Sequence, residues 1–472
     1  MAAIKSVASS PLQLPCGLVL KNRLVKSAMS EKMAIGLQPT SIHERVYKCW
    51  AQGGWAALVT GNIMVDDRYL GSAGDVAVSG SSSAIVERWS AWAKATQGHG
   101  CHLIAQLNHP GRQSPLGTSK RSFFSKTIAP SAIPLNLGDN WIAYVARALV
   151  FGTPRAMTQH DIDIVIAQFA LAAKLATQAG FQGVELNAGH GFLLSQFMSS
   201  SSNKRVDDFG GSAERRVELV LQIIRAIRTE VPRSFCVGIK INTADFMNPK
   251  GFADMLRQIE LIHKEQVDYI NLSGGSFEDP QVLTEHVTPS ERTIAREGFF
   301  LRASQEVRQK FPQLALIVTG GFRSRNGVNA ALETGACNAI GLGRPAIKYP
   351  DLPSKIMFNN ELADEQARFD VEAAPSVGWI ATKIRSAGAG AETVSLQISV
   401  SSAHTHHLPA PYSNRFICGL CLSVVTVANT RRQCRNTGQI FSRGSRKIKD
   451  TRTLHITWGV VCIIAVSLSK LS

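Results

Sequence analysis

Short apolar runs alternate with longer amphipathic stretches through this chain up to about residue 345. Eight runs have the length and composition of strands: 24–28, 57–60, 101–106, 183–186, 236–241, 268–272, 315–318 and 338–341. Continuous apolar runs of this length suit strands covered on both faces, as in a parallel sheet. The stretches between them keep a helical period. Over 161–180, Ile162, Val165, Phe169, Ala172 and Ala176 fall on one face, and Thr158 with Asp161 forms a capping box. Ser212 is placed to cap the next helix, whose apolar face carries Leu219, Val220, Ile223, Ile224 and Ile227. Eight strand–helix repeats predict an α/β fold, a (β/α)8 TIM barrel. An open doubly wound sheet is the alternative; no GxGxxG follows an early strand to support it.

Two segments break the pattern. Residues 110–158, between the third and fourth strands, are rich in Ser, Pro and Gly and too long for an ordinary loop. They predict a lid or small subdomain over the barrel mouth, with ordered turns at 132–134 and 151–155. After residue 385 the chain turns polar, then alternates short apolar and basic stretches. The domain reading is therefore a barrel over 1–385 and an atypical tail over 386–472. The apolar runs of the tail are shorter than the roughly 20 residues of a spanning helix. The tail reads as a disordered extension or a mistranslated gene end in preference to a membrane-associating segment.

Charge changes this picture little. The formal net charge is +16, but +9 of it comes from residues 401–472, which hold ten Lys/Arg and one Asp. The barrel shows no basic stripe interleaved with aromatics, so a nucleic-acid partner is not expected. Nine scattered cysteines and no secretory leader suit a reduced, cytoplasmic protein. Cys418 and Cys421 form one CxxC without a second pair, too little to predict a metal.

Polar residues at the C-terminal ends of the strands carry the candidate chemistry. Strand one runs into small residues and Ser30, which either bonds a flat ring or simply caps a helix. Gln106 ends strand three, and its amide suits the pyrimidine edge of a flavin. Lys240 interrupts the apolar run of strand five. A buried ammonium needs an anion; a reduced flavin is one, and Glu185 within the barrel is the other candidate. Glycines follow strands seven and eight, at Gly320-Gly321 and Gly343, with Arg344 and Arg323 adjacent. They form either a phosphate cradle or tight turns with solvent-facing arginines. Asn187 and His190, past strand four, are placed to hold a carbonyl or nitro oxygen and polarise a conjugated alkene. Arg205, Asp207 and Glu214 are expected to form one ion network that fixes the following loop.

Together, the segments KNRLVKSAMSEKMA, TGNIMVDDRYLG, QLNHPGRQSP, GFQGVELNAGHGFLLSQFMSSSSNKRVDDFGGSAERR, VGIKINTADF, YINLSGG, AREGFF, VTGGF and GLGRP resemble the Old Yellow Enzyme family of NADH:flavin oxidoreductases and ene-reductases. The resemblance spans about residues 12–385. It implies non-covalent FMN in a (β/α)8 barrel, NADH or NADPH as reductant, and an electron-poor alkene or quinone as acceptor. Its flavin contacts fall on Ala28, Ser30, Gln106, Lys240, Gly321, Gly343 and Arg344, and Asn62 follows the same pattern. The family's substrate pair, usually His-x-x-Asn or His-x-x-His, is here Asn187-Ala-Gly-His190. The family's proton-donating tyrosine is replaced by Phe192, which has no proton to give. A dehydrogenase or isomerase of secondary metabolism and a catalytically weak binding barrel stand as alternatives. The oligomeric state is left open.

Overall fold

The computed structural model describes residues 6–118, 120–243, 249–274 and 303–371. The boundary at residue 385 and the tail lie outside the described residues. Eight strands form the barrel: β1 Leu24–Lys26, β2 Ala57–Met64, β3 His102–Asn108, β4 Gly183–Ala188, β5 Cys236–Asn242, β6 Tyr269–Ser273, β7 Leu316–Thr319 and β8 Ala339–Leu342. Each pairs in parallel with the next, and β8 returns to β1 through Ile340↔Leu24 and Leu342↔Lys26, which closes the sheet. Helices follow in turn: α1 Ser41–Gln52, α2 Ser82–Lys94, α3 Gln159–Gln178, α4 Ala213–Glu230, α5 Pro249–Lys264, α6 over 303–310, α7 Arg325–Glu333 and α8 Arg344–Lys348. All eight expected strands are present. Both predicted caps form: Thr158 and Asp161 make the reciprocal box of α3, and the Ser212 hydroxyl accepts from the Arg215 amide at α4.

Strand alternation divides the core into two. Outward residues such as Leu24, Leu58, Leu103, Leu186 and Ile239 join the helix faces in the main apolar cluster. Inward residues Val25, Val59, Ile104, Cys236 and Ile317 fill the lower barrel. A hairpin of Leu12–Gln13 against Val19–Leu20 packs beneath them through Leu14 and Leu20. The interior is thus apolar at the N-terminal floor and polar towards the C-terminal rim.

The structure departs from expectation in two places. Asn62, Asn108 and Asn187 lie inside lengthened strands instead of in the loops beyond them. Asn62 and Asn187 face a polar interior, so the ladder runs on through Asn62↔Gln106 and Asn187↔Lys240, while Asn108 Nδ2 lies 3.7 Å from Met64 Sδ. The insertion contains a helix, Trp141–Val150, where only turns were expected. It is mainly apolar, yet only Ala143 of its ten residues is buried. That helix shares a small cluster with Leu135, Leu137 and Phe151. The short strands Ile128–Ala129 and Arg155–Ala156 close the insertion's base. Among the described residues, no helix is long and apolar enough to cross a membrane.

Close packing at the rim sets a stringent requirement at Gly341. A Cβ there would lie 2.0 Å from Thr319 Oγ1 and 2.4 Å from Ser27 Oγ, two hydroxyls bonded to each other at 2.8 Å. Gly341→Ala is expected to destabilise the fold by about 1–3 kcal/mol through overpacking. A lowered thermal midpoint checks this; an unchanged midpoint contradicts it.

Candidate functional site

The rim is organised around one carboxylate. Glu185 is fully buried on β4. Its Oε1 accepts from Gln106 Nε2 at 2.7 Å; its Oε2 accepts from Tyr269 Oη at 3.1 Å and Asn271 Nδ2 at 3.0 Å. A buried carboxylate needs such donors, because desolvation without compensation is costly. The network continues on both sides. Asn187 Nδ2 donates to Gln106 Oε1 at 3.3 Å and to Asn62 Oδ1 at 3.1 Å. Thr319 Oγ1 donates to Asn271 Oδ1 at 2.8 Å and pairs with Ser27 Oγ. Five barrel strands and the residue after β1 thereby share one hydrogen-bonded system.

Lys240 stands apart from it. The residue is only 3% exposed, yet among the described residues no hydrogen bond or ion pair reaches its ammonium. The salt bridge with Glu185 left open by the sequence does not form, since other donors occupy that carboxylate. Burial pushes the Lys240 ammonium pKa down, with Glu185 opposing through space and Lys26 adding to the depression. A desolvated cation without a partner at a barrel rim is a site for an anionic or electron-rich group.

The segment beyond β1 is held from behind. Lys26 points outward and is wholly buried. It donates to Glu31 Oε1 at 2.5 Å and to the Val59 carbonyl at 3.1 Å, and lies 4.3 Å from the Trp50 ring centre. Tyr47 Oη donates to Glu31 and accepts from the Gly61 amide at 3.2 Å. Gly61 lies in the register shift of β2, and a Cβ there would sit 2.9 Å from the Met29 carbonyl. This buried ion pair therefore fixes the half-buried Ala28 and Ser30 against the strand that carries Asn62.

His190 follows β4 in a left-handed conformation, φ 56°. Burial first and the nearby Lys240 charge second push its pKa down to about 3. The imidazole is neutral at ordinary pH and offers one N–H donor and one acceptor. Its loop is tied to the loop after β3. Gln113 Nε2 donates to the His190 carbonyl at 2.8 Å, and Gln196 Nε2 donates to Gly191 and Pro110 carbonyls. Phe192 begins the short helix Leu193–Met198 and is half-buried.

Arg205 and Asp207 pair at 2.5 Å as expected, and Arg205 also donates to the Pro130 and Met157 carbonyls of the insertion. Glu214 is not part of this network. It lies on α4 and pairs with Arg257 of α5 at 2.9 Å, because the helix start turns it away from the loop. Gly210 abuts the Arg205 carbonyl and Gly211 has φ 85°, so the turn there needs both glycines.

At the ends of β7 and β8, Gly320 and Gly321 take φ of 130° and 78°, which only glycine adopts easily. Gly343 precedes α8, and Arg344 is its first residue. These positions, with Ala28, Ser30, Asn62, Gln106, Asn187 and Lys240, all belong to the C-terminal rim of the parallel strands. The chain thus joins Asn62, Gln106 and Asn187 by direct bonds and aligns Lys240 beside Asn187. Glu185, Tyr269, Asn271 and Thr319, which hold these groups, were not singled out as a network from sequence. Their signal is alternation: polar residues two apart on β4 and β6 face inward together.

The chain matches the family model described as NADH:flavin oxidoreductase / NADH oxidase over residues 10–363. It is 45% identical to an NADH-dependent flavin oxidoreductase, iliE, of Hypocrea jecorina (strain QM6a) over 365 residues, 76% of this chain and 91% of that one. An NADH-dependent flavin oxidoreductase of Talaromyces variabilis, iccE, is 43% identical, with 74% and 86% covered. Among solved structures, morphinone reductase aligns with a TM-score of 0.61 at 21% identity over 75% of this chain and 90% of that one. A 2-naphthoyl-CoA reductase complex aligns at 0.64 and 20% identity, covering 74% and 52%. Those two structures share the fold. With its closed eight-stranded barrel and this similarity over three quarters of its length, the chain belongs to the NADH:flavin oxidoreductase / NADH oxidase family, the Old Yellow Enzyme-like FMN-dependent oxidoreductases.

Proposed function

We propose that this protein uses FMN at the barrel rim to move hydride from NADH or NADPH to a quinone or an electron-poor alkene. The observation that carries the proposal is the buried, unpartnered Lys240 ammonium beside the Gln106–Asn187 amides. That donor set fits the polar edge of a flavin: one cation, two amides and the Ser30 hydroxyl. FMN, when bound, supplies the relay of two electrons as hydride. Gln106, held by Glu185, presents an oriented amide to the ring. Lys240 meets the electron-rich edge and needs no reorganisation to do so. Gly321, Gly343 and Arg344 are the proposed phosphate holders, through exposed amides and a guanidinium.

Asn187 and His190 would hold the acceptor oxygen. Asn187 directs both amide hydrogens into the network, and the longer bond, 3.3 Å to Gln106, is the one an acceptor oxygen replaces. His190 donates as a neutral imidazole, so its part does not titrate near its ordinary value of 6.5. Phe192 excludes water but supplies no proton. Quinones, whose oxygens take protons directly from water, are favoured over enones, which need a proton at carbon. A cytoplasmic location fits this chemistry.

Two tests separate the parts of this proposal. Lys240→Met should weaken FMN binding roughly 10–100-fold, the loss of a charge-assisted hydrogen bond. Equilibrium dialysis checks it, and an unchanged dissociation constant contradicts the assignment. Anaerobic stopped flow addresses the acceptor side. Phe192→Tyr should speed reoxidation by cyclohexenone and leave that by a quinone unchanged. Parallel changes with both acceptors would contradict the proton-supply argument.

A further inference from the structure

The floor of the barrel, opposite the rim, holds a second reactive group. Cys16 occupies the turn of the N-terminal hairpin, next to Gly17 at φ 91°, and is half-buried. Cys236 is the first residue of β5 and is wholly buried. Their Sγ atoms and a carboxylate oxygen of Asp268 all lie within 4.8 Å of one another. Asp268 is not free to serve as a simple ligand. Its Oδ2 accepts from Arg228 Nη2 at 2.8 Å and from the Val237 amide at 2.7 Å. The thiols are left to each other: Cys236 beside Cys16, and the Leu18 amide, lower the Cys16 pKa against the opposing effects of burial and Asp268. The groups facing the pair are thus one carboxylate, Asp268, and the guanidinium of Arg228 that neutralises it.

A half-exposed cysteine with stabilised thiolate beside a buried second thiol is the arrangement of a redox-reactive pair. We propose that Cys16 and Cys236 form a peroxide-sensitive dithiol that closes to a disulfide and fastens the N-terminal hairpin to the barrel floor. Hydrogen peroxide is the oxidant. The Cys16 thiolate attacks one peroxide oxygen; an S–O bond forms, the O–O bond breaks and hydroxide leaves. The Cys236 sulfur then attacks Cys16; the S–S bond forms, the S–O bond breaks and water leaves with the Cys236 proton. Two thiols are oxidised and one peroxide is reduced to two waters. Closure from within 4.8 Å requires movement of the hairpin turn, because Cys236 is held at the start of β5 by its pairing with Gly183 of β4. The hairpin is joined to the barrel through the apolar contacts of Leu14 and Leu20 and a His102 Nε2–Val19 carbonyl hydrogen bond at 2.9 Å, and the disulfide would add a covalent restraint at its turn.

The test uses the full-length, FMN-loaded protein with added hydrogen peroxide, followed by alkylation and non-reducing peptide mapping. The expected result is a mass lower by about 2 Da, the two thiol hydrogens. It should come with a Cys16–Cys236 cross-linked peptide that a thiol reductant removes. The thermal midpoint of the oxidised wild type should rise, and that of Cys16→Ser should not. Cys16→Ser, on a half-exposed turn far from the rim residues, should keep normal flavin reduction. Oxidation of Cys16 only to sulfinic or sulfonic acid, or cross-linking of either cysteine elsewhere, would overturn the proposal. So would stoichiometric zinc retained on the purified protein and protecting both thiols from peroxide, which would assign Cys16, Cys236 and Asp268 to a metal site.

Discussion

A carboxylate buried inside a closed parallel barrel has no access to water and must be met by donors from the strands around it. Glu185 is that carboxylate, and the upper interior is arranged by its demand. Gln106, Tyr269 and Asn271 reach it from β3 and β6, and each then passes its remaining capacity to a neighbour or stops there. Gln106 turns its oxygen to Asn187, and Asn271 turns its oxygen to Thr319. The orientation of the amides at the rim is therefore a consequence of one buried charge. Such networks fix side-chain geometry when every member is satisfied.

The two buried lysines show how the fold distinguishes structure from chemistry. Lys26 and Lys240 are both removed from water, and both would be costly if left alone. Lys26 is answered by Glu31, a carbonyl and the face of Trp50, so it fastens the chain after β1. Lys240 is answered only at a distance, by Glu185. An unmet charge of this kind is retained where a ligand completes it. Its field adds to burial, the larger cause, in keeping His190 neutral, so the two residues are coupled electrostatically.

The barrel itself was legible because its strands are continuous apolar runs and its helices carry caps and period. Asn187, Gln106 and Lys240 stood out because polar residues within or just after apolar strands are conspicuous. Less was visible where the signal is relational. Glu185, Tyr269 and Asn271 lie on two different strands, and only the closed sheet brings them together. Lys26 reads as an ordinary charge near a strand until the outward face of β1 is seen to meet Tyr47 and Trp50. Glu214 was assigned to its neighbours in sequence, whereas the start of α4 hands it to Arg257. The lid helix escaped notice because it is only ten residues long and sits inside a Ser-, Pro- and Gly-rich insertion.

The central claim is that the Glu185 carboxylate orients the amides that receive the flavin. The most direct measurement is the FMN dissociation constant of Glu185→Gln against wild type, with circular dichroism to show that the barrel persists. A glutamine keeps the size but leaves one of three donors facing an amide N–H₂. The account predicts a weakening of about tenfold or more with the barrel intact, since an unmet buried donor costs roughly 1–3 kcal/mol. Wild-type affinity in a folded Glu185→Gln protein would contradict it.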